Sequence, residues 1–208
     1  MDFTLWLSFA AASTALLVMP GPTLLLVLSY AMTQGRRVAI ASALGVATGD
    51  LIAMTVSVIG LGALFLASAT AFTVLKWIGA AYLFYLGVRM LMSSTENSPL
   101  MEKPANTSEG RVFRDLALVT ALNPKSNTFF IAFVPQFIDA NAAFAPQAAV
   151  LIVTFVAIAG VNALVFALGA NSIRAKITRP AVLTWLNRAG GATLIAMAAL
   201  TATLRRAA

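Results

Sequence analysis

The chain has 208 residues, of which 60% are hydrophobic and 10% are charged, and its mean hydropathy is +0.89. This composition lies outside the range of soluble domains and predicts an integral membrane protein. The chain contains neither cysteine nor histidine, which excludes disulfides, Cys/His zinc sites, haem ligation and an imidazole base. We therefore expect no cofactor and no bound metal.

Apolar segments long enough to cross a bilayer, which takes about 20 residues, follow one another along the chain. They cover roughly residues 3–33, 38–67, 71–92, 113–138, 147–170 and 182–204. The first segment has neither the basic leader nor the cleavage site of a signal peptide, so we interpret it as a span. The sequence thus predicts an all-α integral membrane protein with six transmembrane helices.

The net charge of +7 is distributed by loop and does not form a nucleic-acid-binding patch. The loops after the first, third and fifth spans are rich in Lys and Arg, whereas the opposite loops hold few. The basic residues of these odd-numbered loops are Arg36, Arg37, Arg89, Lys103, Arg111, Arg114, Arg174, Lys176 and Arg179. The positive-inside rule places these loops in the cytoplasm and both termini outside it. We expect a lipid bilayer around the chain and no nucleic-acid partner.

The first and fourth spans are each interrupted by proline. The interruptions are Met19-Pro20-Gly21-Pro22 and Asn123-Pro124-Lys125. Proline lacks the N–H that a helix interior needs, and lipid cannot replace the lost hydrogen bond. Half-helices that restart at Pro22 and Pro124 would present free N–H groups and positive dipole ends to a carboxylate. Matched breaks in two halves are typical of a transporter's substrate site, although simple proline kinks are the alternative.

Asp50 lies well inside the second span, where a charge costs about 2.5–3.5 kcal/mol on insertion scales. Such residues mark substrate pathways and proton relays, so we interpret Asp50 as a functional residue. The alternative is a structural ion pair with Lys125, the other charge at depth. The two roles are compatible, because an ion pair that opens on protonation is a coupling device.

The two halves of the chain show a weak internal similarity. Residues 1–92 form a first three-helix half and residues 113–208 a second, joined by a polar segment, 93–112, that predicts a flexible cytoplasmic linker. An odd number of spans per half inverts the second half relative to the first. Residues 75–83 resemble 186–194, and Asn162 is the approximate counterpart of Asp50.

Two further positions are weaker candidates. Ala41, Gly45 and Gly49 recur every four residues and predict a stripe for close helix packing, which Asp50 borders. Gln136 belongs to Pro135-Gln136-Phe137 at the end of the fourth span. It is interpreted as a helix-end cap, with an exit-lining role as the alternative.

Together these motifs resemble the lysine exporter / homoserine–threonine resistance family of bacterial inner-membrane exporters. The resemblance covers essentially the whole chain, with Ala39 where the family pattern usually has glycine. It rests on Met19-Pro20-Gly21-Pro22, Gly35, Gly45, Gly49-Asp50, Asn123-Pro124-Lys125 and Phe133-Val134-Pro135-Gln136-Phe137. The resemblance implies export of amino acids or close derivatives, of the threonine, homoserine or lysine type, driven by proton entry.

The resulting hypothesis is alternating access of a zwitterionic amino acid. Its carboxylate would lie near the half-helix N-termini and Lys125, its ammonium near Asp50 or freed carbonyls, and protonation of Asp50 would permit release. The amino acid carried and the oligomeric state, including a homodimer, stay open.

Three other classes of protein remain as alternatives. An inorganic-cation exporter would also use Asp50, but one acid without histidine or cysteine suits a divalent ion poorly. An enzyme would depend on Lys125 and Ser126, which are adjacent on a helix and do not face each other. We therefore expect no enzymatic activity. A non-transporting assembly or regulatory protein would leave the buried charges unexplained.

Overall fold

The computed structural model describes residues 2–19, 21–67, 69–92, 107–139 and 142–177. It also describes five pairs in the last predicted span, 184–185, 188–189, 191–192, 195–196 and 198–199. Pro20 and residues 93–106 of the predicted linker lie outside the described residues, as does much of the second half beyond residue 177. Each regular element in the described part of the chain is helical.

The helices of the described residues coincide broadly with the first five predicted apolar segments. In chain order they are α1 (Phe3–Val18), α2 (Pro22–Gln34), a 3₁₀ turn (Gly35–Val38), α3 (Ala39–Ala67), α4 (Ala69–Met92), α5 (Glu109–Ala121), α6 (Pro124–Ala132), a 3₁₀ turn (Val134–Phe137) and α7 (Phe144–Ile177). The first predicted span thus contains α1 and α2, and the fourth contains α5 and α6. The arrangement of six helices as two inverted repeats stays a prediction.

Two helices extend beyond their predicted spans. α7 covers Phe144–Ile177, where the sequence predicts a span over 147–170. α5 begins at Glu109, inside the segment that the sequence assigned to the linker. Its first turns carry Glu109, Arg111, Arg114 and Asp115, so the helix begins in polar sequence, before the apolar segment predicted as the fourth span. The backbone carbonyl of Ser108 accepts from the N–H groups of α5 and starts the helix there.

Large apolar side chains cover the outside of the helices. Ile40, Val56 and Val153 are each about two-thirds exposed, at 68%, 67% and 67%. Two described stretches, Pro22–Gly60 and Phe144–Ala170, are long and apolar enough to span a membrane, and α1 is a shorter apolar helix. Exposed apolar faces of this extent fit contact with lipid and not with water.

α3 and α5 pack with their backbones in close contact at two glycines. A Cβ atom on Gly45 would lie 2.6 Å from the carbonyl oxygen of Phe113, and one on Gly49 would lie 2.5 Å from that of Ala117. The packing role predicted for these two glycines is therefore confirmed. Because Asp50 follows Gly49, this contact also holds Asp50 close to the break between α5 and α6.

We expect Gly49→Ala to lower the free energy of unfolding by about 1–3 kcal/mol, because the added methyl group forces the two helices apart. Gly60→Ala is the matched control in the same helix, since nothing lies within 4 Å of its added Cβ. The control should be neutral or slightly stabilising, because alanine is the better helix former. Tryptophan fluorescence during unfolding in detergent micelles measures both. Equal losses in the two variants would contradict the close packing.

Side-chain contacts set the direction of α1 relative to α7. The indole Nε1 of Trp6 donates to Oγ1 of Thr154 over 3.0 Å, and Nδ2 of Asn162 donates to the carbonyl of Leu17 over 3.2 Å. Trp6 precedes Leu17 in α1 and Thr154 precedes Asn162 in α7, so the two contacts occur in the same order along both helices. α1 and α7 therefore run parallel.

α6 runs the opposite way. Lys125, at its start, reaches the end of α1 at Met19, whereas the ring of Phe137, beyond the end of α6, lies 5.2 Å from that of Phe9 near the start of α1. α2 continues beyond the end of α1, so α2 and α6 leave the region of the two breaks toward opposite ends of the molecule.

Candidate functional site

The first interruption separates α1 from α2. α1 ends at Val18 and α2 begins at Pro22, which occupies the first helical turn. Proline suits that position, because the N–H that it lacks has no helical acceptor there. Gly21 is extended, with φ −149° and ψ 178°, and carries the chain across to α2. Pro20 lies outside the described residues.

The second interruption separates α5 from α6, and a hydrogen bond from Asn123 connects it to the first. Asn123 caps α6, since its Oδ1 accepts from the backbone N–H of Lys125 over 3.0 Å, and Pro124 follows as the first helical residue. The same side chain donates from Nδ2 to Oγ1 of Thr23 over 3.1 Å. Asn123 therefore starts one half-helix and contacts the first turn of the other.

Two side chains from the second half satisfy the C-terminal end of α1. Nζ of Lys125 donates to the carbonyls of Leu16 and Met19, both over 3.1 Å, and Asn162 donates to that of Leu17. The last carbonyls of a helix have no partner within it and carry its negative dipole end, so a cation there is favourable. Gly21 leaves the room for this contact, because a Cβ on it would lie 3.2 Å from Nζ.

Asp50 is the buried acid of the site. Its side chain is almost completely enclosed, at 1% exposure, and among the described residues nothing donates a hydrogen bond to Oδ1. The charges of Asp50 and Lys125 attract each other. They form no ion pair, however, because Nζ of Lys125 lies against the carbonyls of α1 and not within 4.0 Å of the carboxylate. The ion pair considered as the alternative is therefore absent.

A cavity of about 30 Å³ lies between the two breaks. A water molecule occupies roughly 10–15 Å³ on this measure, so the cavity holds about two waters and no amino acid. In this conformation the site therefore has no space for an amino acid. Its lining residues are Leu17, Thr23, Leu24, Val27, Val46, Asp50, Thr120, Asn123, Lys125, Ser126, Ala159, Asn162 and Ala163.

The cavity gathers some of the predicted residues and leaves out others. Asp50, Asn123, Lys125 and Asn162 line it, but Gly49 packs against α5. Gln136 donates from its side chain to the carbonyl of Ala132 over 3.0 Å at the end of α6, which favours the capping interpretation.

Sequence reasoning missed two threonines that line the cavity. Thr23 follows Pro22 in the first turn of α2, and Thr120 lies in the last turn of α5. Oγ1 of Thr120 donates to Oγ1 of Thr23 over 3.4 Å. The only sequence signal for either was a hydroxyl group beside a proline break in an otherwise apolar span.

In the described residues, a helical fold with exposed apolar faces and a small cavity lined by Asp50 and Lys125 between interrupted helices is typical of a membrane transport protein. Residues 14–204 match the family described as LysE type translocator. The chain belongs to this family of membrane translocators, as its motifs predicted.

Several full-length relatives support this assignment. The chain is 34% identical over 207 residues to a homoserine/homoserine lactone efflux protein of Salmonella typhimurium, with all of both chains covered. The protein of the same name from Salmonella typhi is equally similar. An uncharacterized membrane protein of Vibrio cholerae is 30% identical over 99% of this chain and all of its own. No solved structure matches the chain.

Proposed function

We propose that this protein is a secondary active exporter of an amino acid or close derivative, of the homoserine, threonine or lysine type, in the bacterial inner membrane. The observation that carries the proposal is Asp50, a buried carboxylate beside a cavity between two helix breaks, whose Oδ1 accepts no hydrogen bond from the described residues. The names of the Salmonella relatives support the substrate class.

Asp50 is proposed to bind the ammonium group of the substrate. An ionised carboxylate without a partner is costly at this depth, and an ammonium group would supply both the opposite charge and hydrogen-bond donors. The hydroxyl oxygen of Thr120 lines the same cavity. Because Thr120 donates its own proton to Thr23, its oxygen can accept a hydrogen bond from that group. The substrate thereby lowers the cost of keeping Asp50 ionised.

The starts of α2 and α6 are proposed to bind the substrate carboxylate. Thr23, Leu24 and Ser126 place the first turns of the two half-helices on the cavity. First-turn N–H groups lack helical acceptors and carry the positive dipole end, which suits an anion. Lys125 donates two of its three ammonium protons to carbonyls of α1, so one donor and the positive charge remain for the substrate carboxylate.

Protonation of Asp50 is proposed to couple export to proton entry. Asp50 is the one carboxylate among the described residues that line the cavity. A proton arriving from outside neutralises it, which removes the attraction for the substrate ammonium and releases the substrate outward. Loss of that proton to the cytoplasm restores the carboxylate for the next substrate.

The orientation follows from the charged ends of the helices. Arg36, Arg37, Arg111 and Arg114 are exposed at the end of α2 and the start of α5. We call this end of the molecule the arginine end and assign it to the cytoplasm by the positive-inside rule. α6 then runs outward from the site.

Counterflow in proteoliposomes tests the proposed function. Vesicles loaded with unlabelled homoserine, threonine, lysine or homoserine lactone should take up the labelled compound of one class, and an imposed pH gradient should drive its net movement. Protein-free vesicles and a divalent cation serve as controls. Flux of the divalent cation alone, or no flux of any amino compound through folded protein, would contradict the proposal.

A further inference from the structure

Two rows of residues lead away from the cavity toward opposite ends of the molecule, and each row marks a candidate route. On α3, residues one turn apart lead from Asp50 through Val46 to Ser42 toward the arginine end. On α1, residues at the same spacing lead from Leu17 through Ser13 toward the opposite end. Each route therefore contains one hydroxyl group beyond the cavity.

These two hydroxyls have no visible partner. Oγ of Ser42 and Oγ of Ser13 are fully enclosed, and neither makes a hydrogen bond within the described part of the chain. A buried hydroxyl without a partner costs about 1–3 kcal/mol, and water relieves that cost whenever it gains access. Both routes thus contain a group that favours hydration of the opened route.

The route toward the arginine end is closed by polar groups. The hydroxyl of buried Tyr30 on α2 donates to Oδ2 of Asp115 on α5 over 2.8 Å. Oδ1 of the same carboxylate accepts from Arg114 over 3.0 Å. Farther out, Arg37 pairs with Glu109 over 3.0 Å. We call the Tyr30–Asp115 contact the polar gate.

The opposite route is closed by phenylalanine rings. Phe9 on α1 has its ring centroid 5.2 Å from that of Phe137 and 6.4 Å from that of Phe129, and Phe130 lies 4.8 Å from Phe155 on α7. All are buried. We call the ring cluster the aromatic gate; its members are Phe9, Phe129, Phe130, Phe133, Phe137 and Phe155.

We propose that the cavity opens alternately through these two gates, the polar gate on the side from which substrate enters and the aromatic gate on the side to which it leaves. The inference rests on the proposed function for its direction. The two gates differ in chemistry. Water can replace the Tyr30–Asp115 hydrogen bond, so opening the entry side costs little free energy. The packed rings exclude water and protons from the exit side until they separate.

The absence of cysteine from the chain allows a direct test with single reporters. Val27→Cys lies in the cavity lining one turn before Tyr30, and Ser13→Cys lies one turn inside Phe9. Each is labelled with a membrane-impermeant thiol reagent in inside-out and in right-side-out vesicles. Both reporters should react slowly in the otherwise native chain, because both positions are buried.

Opening one gate should change the labelling rate only of the cysteine on the same side of the cavity. Tyr30→Phe removes a hydrogen bond to a charged acceptor and should speed labelling of Val27→Cys roughly tenfold to hundredfold from the arginine end. Phe137→Leu should speed labelling of Ser13→Cys roughly twofold to tenfold from the other end. The reporter at the opposite gate should not change in either case.

Asp115→Asn is the second variant for the polar gate and should act in the same direction as Tyr30→Phe. Unchanged labelling of Val27→Cys in both, or an equal rise at both reporters in a chain with native thermal stability, would overturn the two-gate inference. Labelling needs no substrate. Side-specific labelling without flux would therefore overturn the proposed function and leave the gates standing, and flux without side-specific labelling would do the reverse.

Discussion

Asp50→Asn is expected to abolish export driven by a pH gradient in proteoliposomes while the chain remains folded. Asparagine keeps the size of the side chain but cannot take up a proton or attract an ammonium group. The variant should therefore lose both the coupling and the high affinity for substrate. Uptake of the labelled substrate under an imposed gradient measures the first loss, and binding to detergent-solubilised protein measures the second.

The stability of Asp50→Asn separates a functional effect from a folding defect. A neutral amide avoids the cost of a buried charge without a direct partner, so the thermal midpoint should equal or exceed that of the native chain. Glu109→Gln is the control, because Glu109 is an exposed carboxylate at the arginine end and its loss should leave coupling intact. Robust gradient-driven export by Asp50→Asn would refute the assignment of Asp50.

Lys125→Met should both destabilise the chain and stop transport. The change removes two hydrogen bonds to carbonyls of α1, those of Leu16 and Met19. Each buried acceptor left without a partner costs about 1–3 kcal/mol. It also removes a positive charge that attracts Asp50 without pairing with it. Unfolding in detergent micelles measures the loss of stability, and counterflow measures the loss of transport.

Arg37→Met provides the matched control for Lys125→Met. Arg37 is an exposed cation in a surface ion pair, so its loss should cost less than about 1 kcal/mol. The double variant Asp50→Asn with Lys125→Met should recover part of the lost stability, since both buried charges disappear together. If Lys125→Met lowered the free energy of unfolding no more than Arg37→Met does, the hydrogen bonds from Lys125 to α1 would not be what stabilises the first interruption.

Local chemistry explains what was predictable about the breaks. Asn123 followed by proline is a helix start in any setting, because the side chain caps the first free N–H groups and proline needs none. Pro22 after glycine starts α2 for the same reason. Asp50 was predictable as a functional candidate because a charge is costly within an apolar span. These features depend on residues close in the chain and not on which helices are neighbours.

The contacts of Lys125 were not predictable in this way. Its position in the first turn of α6 suggested a partner for Asp50 or for a substrate carboxylate. The structure instead places its ammonium group on two carbonyls more than a hundred residues earlier in the chain. Those carbonyls are available only because α1 ends at Val18, and only the packing of α6 against α1 brings the two together.

The sequence by itself therefore determined the membrane class, the family and the helix starts at Pro22 and Pro124, and it predicted a charge at depth at Asp50. These depend on composition and on interactions among residues close in the chain. Only the tertiary structure decided that Lys125 and Asn162 satisfy the end of α1 and that Thr23 and Thr120 line the cavity. It also decided that phenylalanine rings pack together on one side of the cavity, whereas Tyr30 and Asp115 share a hydrogen bond on the other. Those contacts join different helices, and the helices come together through close backbone approach at glycines and the burial of side chains, which no local pattern specifies.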